Sequence, residues 1–226
     1  VPFAFLGLFF AYPVVAIMGR GLVPRGSIDL RPLRDLVADP GMRRVAWFTV
    51  WQATASTVLT LAVGLPGAYV LARYKFPGKA AVRALATVAF VLPTVVVGAA
   101  FVAVLGPGGP FAALGLERSI AAILLAHVFF NYAVVVRTVG TFWASLDPQM
   151  GEAARVLGAS RRQVWWHVTL PSLAPTIAAA ASIVFLFTFS SFGVIVILGG
   201  PARATLEVEI WRQATQMIDL PAAAAL

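Results

Sequence analysis

Residues 152–171 read Glu-Ala-Ala-Arg-Val-Leu-Gly-Ala-Ser-Arg-Arg-Gln-Val-Trp-Trp-His-Val-Thr-Leu-Pro. The stretch is charged and helix-prone, carries a glycine at 158 and closes on Pro171. Long apolar runs flank it on both sides. In a chain built for lipid, such a segment must sit in water, because its charges are costly to bury. Asp147-Pro148 just upstream is a helix start, with aspartate as the cap and proline at the first helical position. Residues 149–157 then predict a short helix, and Gly158 can take the left-handed conformation that ends it. Ser160 caps a second helix through Arg161, Arg162, Trp165 and Trp166. The expectation is a helix–turn–helix over 147–170 that lies along the membrane surface. Ala153 and Ala154 offer small side chains that a partner's backbone can approach. The plainer alternative is a surface pair that merely connects two crossings.

Outward from this segment the chain is apolar. Hydrophobic residues make up 60% of it and charged ones 12%, against about 25% charged in a soluble domain. Five runs qualify against the roughly 20 mainly apolar residues a spanning helix needs: 2–19, 46–71, 84–105, 119–140 and 173–198. They are continuous rather than alternating, so each reads as a helix. The expected fold is an all-α, polytopic transmembrane bundle of five spanning helices, with the start of a sixth at 222–226. Pro13, Pro66 and Pro93 fall inside runs as expected kinks. Trp47, Trp51 and Trp143 stand at run ends, as in an interfacial aromatic belt. Residue 1 already lies in an apolar run, so 1–226 reads as a single transmembrane domain truncated at both ends.

The net charge of +8 sits in short loops, which suits anionic lipid headgroups and not nucleic acid. Two His and no Cys leave little for a metal centre and nothing for thiol chemistry. No Ser/His/Asp set or carboxylate pair marks a catalytic site, so the expectation is no catalytic residue, no metal and no enzyme. Loops 73–83 and 141–170 fall on one side, and 20–45, 106–118 and 199–221 on the other. Basic residues divide almost evenly between the sides, mainly because 20–45 carries Arg20, Arg25, Arg31, Arg34, Arg43 and Arg44. Charge alone therefore does not orient the chain.

None of the five runs holds Asp, Glu or Lys, whereas ion-coupled carriers commonly keep an ionisable relay in mid-membrane. His127 and Asn131 stand one turn apart on one face. With Thr188, Ser190 and Ser191 they line a solute path or make interhelical hydrogen bonds, worth roughly 0.6–2 kcal/mol each. Arg137 lies near a span end, from which its side chain snorkels to headgroups. Leu206, Ile210, Ala214 and Met217 form an apolar stripe at helical spacing, with Glu207 and Arg212 opposite.

The spacing of Glu152-Ala153-Ala154, Gly158 and Val168-x-Leu170-Pro171 resembles the EAA loop of binding-protein-dependent ABC importer permeases, Val168 replacing a more usual isoleucine. Further stretches are similar to the thiamine and ferric-iron permeases, whose halves are often fused. They are Trp51-Gln52-Ala53, Leu125-Ala126-His127-Val128-Phe129-Phe130-Asn131, Ser191-Phe192-Gly193 through Leu198-Gly199-Gly200-Pro201, and Ala204-Thr205-Leu206-Glu207-Val208-Glu209-Ile210-Trp211. The resemblance implies the amino-terminal half of a fused permease, multi-pass in a bacterial inner membrane, with loops 73–83 and 141–170 cytoplasmic. It further implies that ATPase subunits grip 147–170 through Glu152, Ala153, Ala154, Gly158 and Arg161. An extracytoplasmic binding protein would deliver the solute, and a second permease half, fused or separate, would complete the path. ATP and Mg would sit on the ATPase, since this sequence has no GxxxxGK[ST] loop, and no cofactor on this chain. Thiamine or ferric iron is the favoured solute, with sulfate, molybdate and polyamine as further candidates. The alternative of another class is a secondary carrier or channel that needs no ATPase.

Overall fold

Every regular element is a helix among the residues that the computed structural model describes, which are 2–22, 34, 38–200 and 203–226. Much of the arginine-rich 20–45 loop, Arg25 and Arg31 included, lies outside the described residues, as does Pro201. In chain order the helices are α1 (Pro2–Leu6), α2 (Tyr12–Leu22), α3 (Pro40–Arg73), α4 (Lys79–Val91), α5 (Thr94–Leu105), α6 (Ile120–Ser145), α7 (Pro148–Val156), α8 (Arg161–Val164), α9 (Leu170–Phe189), α10 (Gly193–Leu198), α11 (Leu206–Thr215) and α12 (Leu220–Ala225). A π-helical turn, Gly7–Ala11, joins α1 to α2, and another, Trp165–Thr169, joins α8 to α9.

Among the described residues, three helices are long and apolar enough to cross a membrane: α3, α6 and the continuous helix from Arg161 to Phe189. The pair α4–α5 makes a fourth if the two are counted as one broken span, bent by 105°. Run lengths predict five crossings, and proline accounts for part of the difference. At Leu92-Pro93 the backbone turns extended, with ψ of 138° and 135°. A proline has no N–H to continue the helix and pushes the residue before it out of the α region. The expected kink is thus a break. In the first run, Pro2–Ala16 is a shorter apolar helix, rising roughly 22 Å at 1.5 Å per residue against a hydrocarbon core of about 30 Å. The fifth run is shifted: its helix begins at Arg161, ends at Phe189, and breaks over Ser190–Phe192 before α10.

By contacts the chain forms two units, Gln52–Leu198 and Val1–Trp51 with Gly199–Leu226. The core of the first is Ala68, Val135, Val139, Trp143, Leu173, Ala180 and Val184, supplied by α3, α6 and α9. Small residues set the approach of α3 to α6. A Cβ on Gly64 would lie 2.8 Å from the Val135 Cβ, and one on Gly67 would run into the Tyr132 hydroxyl. Beside this packing α3 stays helical through Pro66, where isolated sequence favours a kink. Trp143 is not in an exposed belt. It is buried, with ring centres 5.2 Å from Tyr69 and 5.5 Å from Trp165.

In the other unit, α12 packs against α2 and α11, and the Leu206 N–H donates to the Thr49 hydroxyl at 3.0 Å. The apolar stripe does not define the buried face of α11. Met217 lies beyond the helix end and is exposed, whereas Glu209 is buried and accepts from Arg212 at 3.0 Å and Gln213 at 2.8 Å. Desolvation raises the neighbouring Glu207 carboxyl above its usual range.

Candidate functional site

Local chemistry builds the 147–170 segment as its sequence predicts. The Asp147 side chain accepts the Gln149 N–H at 2.9 Å and starts α7, with Pro148 in the first turn. Gly158, at φ +92°, ends it. The Gly158 N–H donates to the Arg155 carbonyl and the Ala159 N–H to the Ala154 carbonyl, both at 3.0 Å. These bonds close the helix end and turn the chain. Ser160 then caps α8 in a reciprocal box: its hydroxyl accepts the Gln163 N–H, and the Gln163 side chain accepts the Ser160 N–H at 2.8 Å.

The second arm differs from expectation. It is not a separate surface helix but the leading turns of the spanning helix that continues to Phe189. Pro171 cannot donate to the His167 carbonyl, and the π-helical turn Trp165–Thr169 carries the helix past it. A push on α8 is therefore a push on the end of a membrane-crossing helix.

This segment presents an open face. Glu152, Ala153, Gly158 and Arg161 are exposed and Ala154 is half-buried. Val156 and Leu157 are each 88% exposed, a degree that apolar side chains at a helix end show when nothing of their own chain covers them. Glu152 and Arg161 make no ion pair among the described residues. With Arg73, Arg155 and Asp147 they line a cavity of about 400 Å³ between the arms and α3.

The path candidates divide into two groups. His127, Asn131, Thr188 and Ser191 are buried, whereas Ser190 is exposed. The His127 ring spans three segments: Nδ1 lies 2.9 Å from the Ser56 hydroxyl on α3 and Nε2 2.9 Å from the Ser191 hydroxyl in the break after α9. A neutral imidazole donates at one nitrogen and accepts at the other, so one serine gives and the other receives. The Asn131 amide donates to the His127 carbonyl at 3.0 Å, while its Oδ1 is buried without a partner among the described residues. The Thr188 hydroxyl donates back to the Val184 carbonyl at 2.8 Å. The Gln52 amide donates to the Thr188 carbonyl at 2.8 Å. The Ser190 hydroxyl donates to the Leu186 carbonyl.

Ser56 and Gln52 are the members that sequence reasoning missed as site residues. Gln52, Ser56 and Thr60 recur at helical spacing inside an apolar run, and that polar stripe was the available signal.

Comparison with known proteins follows the same lines. A family model described as "Binding-protein-dependent transport system inner membrane component" matches residues 64–226. The sulfate transport system permease protein CysT of Salmonella typhimurium is 32% identical over 200 residues, covering 85% of this chain and 72% of that protein. The molybdenum transport system permease protein ModB of Mycobacterium tuberculosis is 31% identical over 228 residues, covering 97% and 83%. The thiamine transport system permease protein ThiP of Brucella abortus is 32% identical over 185 residues, covering 77% and only 34%. Among solved structures, a bacterial alginate ABC transporter in complex with an alginate pentasaccharide-bound periplasmic protein superposes with a TM-score of 0.79 at 20% identity, over 99% of this chain and 84% of that one. That likeness is one of fold.

Proposed function

We propose that this chain, which belongs to the family of binding-protein-dependent transport system inner membrane components, is the permease subunit of an ATP-driven importer and receives the push of its ATPase at residues 147–170. The observation that carries the reading is the continuity of α8 with the spanning helix. A partner seated on Glu152, Ala153, Ala154, Gly158 and Arg161 moves Arg161–Phe189 as one body. Exposed Val156 and Leu157 give such a partner an apolar foothold. The exposed charges of Glu152 and Arg161 give it direction.

On this reading the ATPase subunits hold ATP and Mg, so this chain is no enzyme and binds no cofactor. A second permease half completes the path, an extracytoplasmic binding protein delivers the solute, and 73–83 and 141–170 face the cytoplasm of a bacterial cell. Residues 1–226 then form one permease domain, and the buried polar set around His127 stands beside the path. Thiamine and ferric iron are the solutes that sequence resemblance favours. The thiamine relative supports the first, and the sulfate and molybdenum relatives extend the choice to oxyanions.

The test is co-purification of the full-length protein with its candidate ATPase, followed by ATP hydrolysis in proteoliposomes with and without the binding protein. A complex whose hydrolysis rises with the loaded binding protein is expected. Uptake that follows an ion gradient without ATP would instead establish the carrier alternative.

A further inference from the structure

Arg137 is the cation set farthest into the spanning helices of the Gln52–Leu198 unit, and the structure gives it an unusual setting. It lies on α6, eight residues before Ser145, which is about 12 Å of helix. A helix of this length overhangs a hydrocarbon core of about 30 Å by only roughly 4–5 Å at each end, so the Arg137 backbone sits inside the apolar layer. The Cα–Cβ bond of a helical residue tilts toward the helix N-terminus, here away from the Ser145 surface. Snorkelling to that surface works against the geometry.

Arg137 instead lines an open groove of about 740 Å³ between α4, α6 and α9, in which it is exposed, with Thr138, Thr141 and Ser145 from its own helix and Thr87 across from it. Nothing among the described residues accepts a hydrogen bond from its guanidinium, and no Asp or Glu lines the groove. The Thr87 and Ser145 hydroxyls donate to carbonyls of their own helices, as Thr57, Thr60 and Ser182 do elsewhere. Thr138 and Thr141 make no such bond. Among the described residues, a charged fork and two hydroxyls without a bonded partner thus stand within one helical turn, with donors in excess and no acceptor charge.

From this arrangement we infer that Arg137, Thr138 and Thr141 form a binding station for a tetrahedral oxyanion, and that the solute carried past it is an oxyanion of the sulfate or molybdate kind. The inference rests on the importer reading for its solute, though not for its binding chemistry. A guanidinium presents paired N–H donors matched to two oxygens of one oxyanion, and hydroxyls supply further neutral donors. A cationic solute such as thiamine meets only repulsion here, because no carboxylate lies in any spanning helix of this unit. The same chemistry recognises the phosphate of an anionic lipid headgroup, so the two sources must be separated by experiment.

The complete transporter is placed in nanodiscs of phosphatidylcholine alone and in nanodiscs that also contain phosphatidylglycerol. Thermal unfolding is followed against sulfate and against molybdate at constant ionic strength for wild type, Arg137→Lys and Arg137→Gln. Both anions stabilise proteins generally, so the readout is the difference between variants. In phosphatidylcholine the wild type should show an apparent affinity about tenfold or more above Arg137→Gln, with Arg137→Lys between them. Anion dependence that is absent there, with phosphatidylglycerol stabilising the wild type over Arg137→Gln, assigns the station to a headgroup and overturns the solute assignment. Identical behaviour of wild type and Arg137→Gln under every condition overturns the station. Because the readout is binding, oxyanion affinity at Arg137 without ATP-driven uptake would count against the importer reading and leave the station standing.

Discussion

A Gly158→Val variant is expected to reach the membrane at normal levels and lose ATP-driven uptake by about tenfold or more, while Gly158→Asn keeps most of it. The reason is backbone conformation and not space. A Cβ on residue 158 meets nothing within 4 Å, yet φ is +92°. A β-branched residue is a genuine outlier at positive φ, whereas asparagine is enriched there. Relieving the strain means giving up the bonds from Gly158 and Ala159 to the Arg155 and Ala154 carbonyls, which set the turn between α7 and α8. Because residue 158 is exposed and a side chain there displaces no neighbour, folding should survive while the coupling surface changes shape. The check is solute uptake set against ATP hydrolysis in proteoliposomes. A valine variant that transports at the wild-type rate would remove the turn from the mechanism.

The second large effect is expected at His127. His127→Ala deletes two hydrogen bonds between segments, roughly 0.6–2 kcal/mol each, and opens a cavity in a packed region. We expect a loss of about 3 kcal/mol in the unfolding free energy of the full-length protein, measured by denaturant titration in mixed micelles. Ser56→Ala and Ser191→Ala should each cost less, about 1 kcal/mol. A double-mutant cycle between His127 and Ser56 should show coupling, since the two groups touch. The measurement separates the two roles offered for this ring. A structural tie predicts lost stability with uptake falling only as folded protein falls. A wall of the path predicts unchanged stability with an altered KM for the solute.

How much of this was legible in sequence depended on how local the cause was. Asp147-Pro148, Gly158 and Ser160 act on neighbours within a few residues, so the caps of α7 and α8 appear where their spacing places them. Prolines show the opposite. Pro66 and Pro93 lie in similar apolar runs, yet one stays helical and the other breaks its run by 105°. At Pro66 the helix lies against α6 through Gly64 and Gly67, and such contacts about seventy residues away in sequence are not visible in a run of hydrophobicity. Trp143 fails for the same reason, because its position at a run end says nothing of the Tyr69 and Trp165 rings that enclose it. His127 and Asn131 were readable as buried polar residues on one face. Their partner Ser56 was not singled out, because a serine in a long apolar helix is ordinary until something crosses it. Arg137 looked like a snorkelling residue, and only the groove and the hydroxyls of Thr138 and Thr141 give it another role.

An ATPase seated on the exposed turn between α7 and α8 would shield it from solvent, and cysteine labelling reads that shielding. The 226 residues contain no cysteine, so Leu157→Cys, in full-length protein with any other cysteine replaced, reports one position. Its reaction with a membrane-impermeant maleimide is timed with and without the ATPase subunits. Rapid labelling of the free permease and protection of about tenfold or more in the complex are expected, because an apolar side chain at a docked helix end is buried by the partner. Equal labelling rates in the free and assembled protein would contradict it.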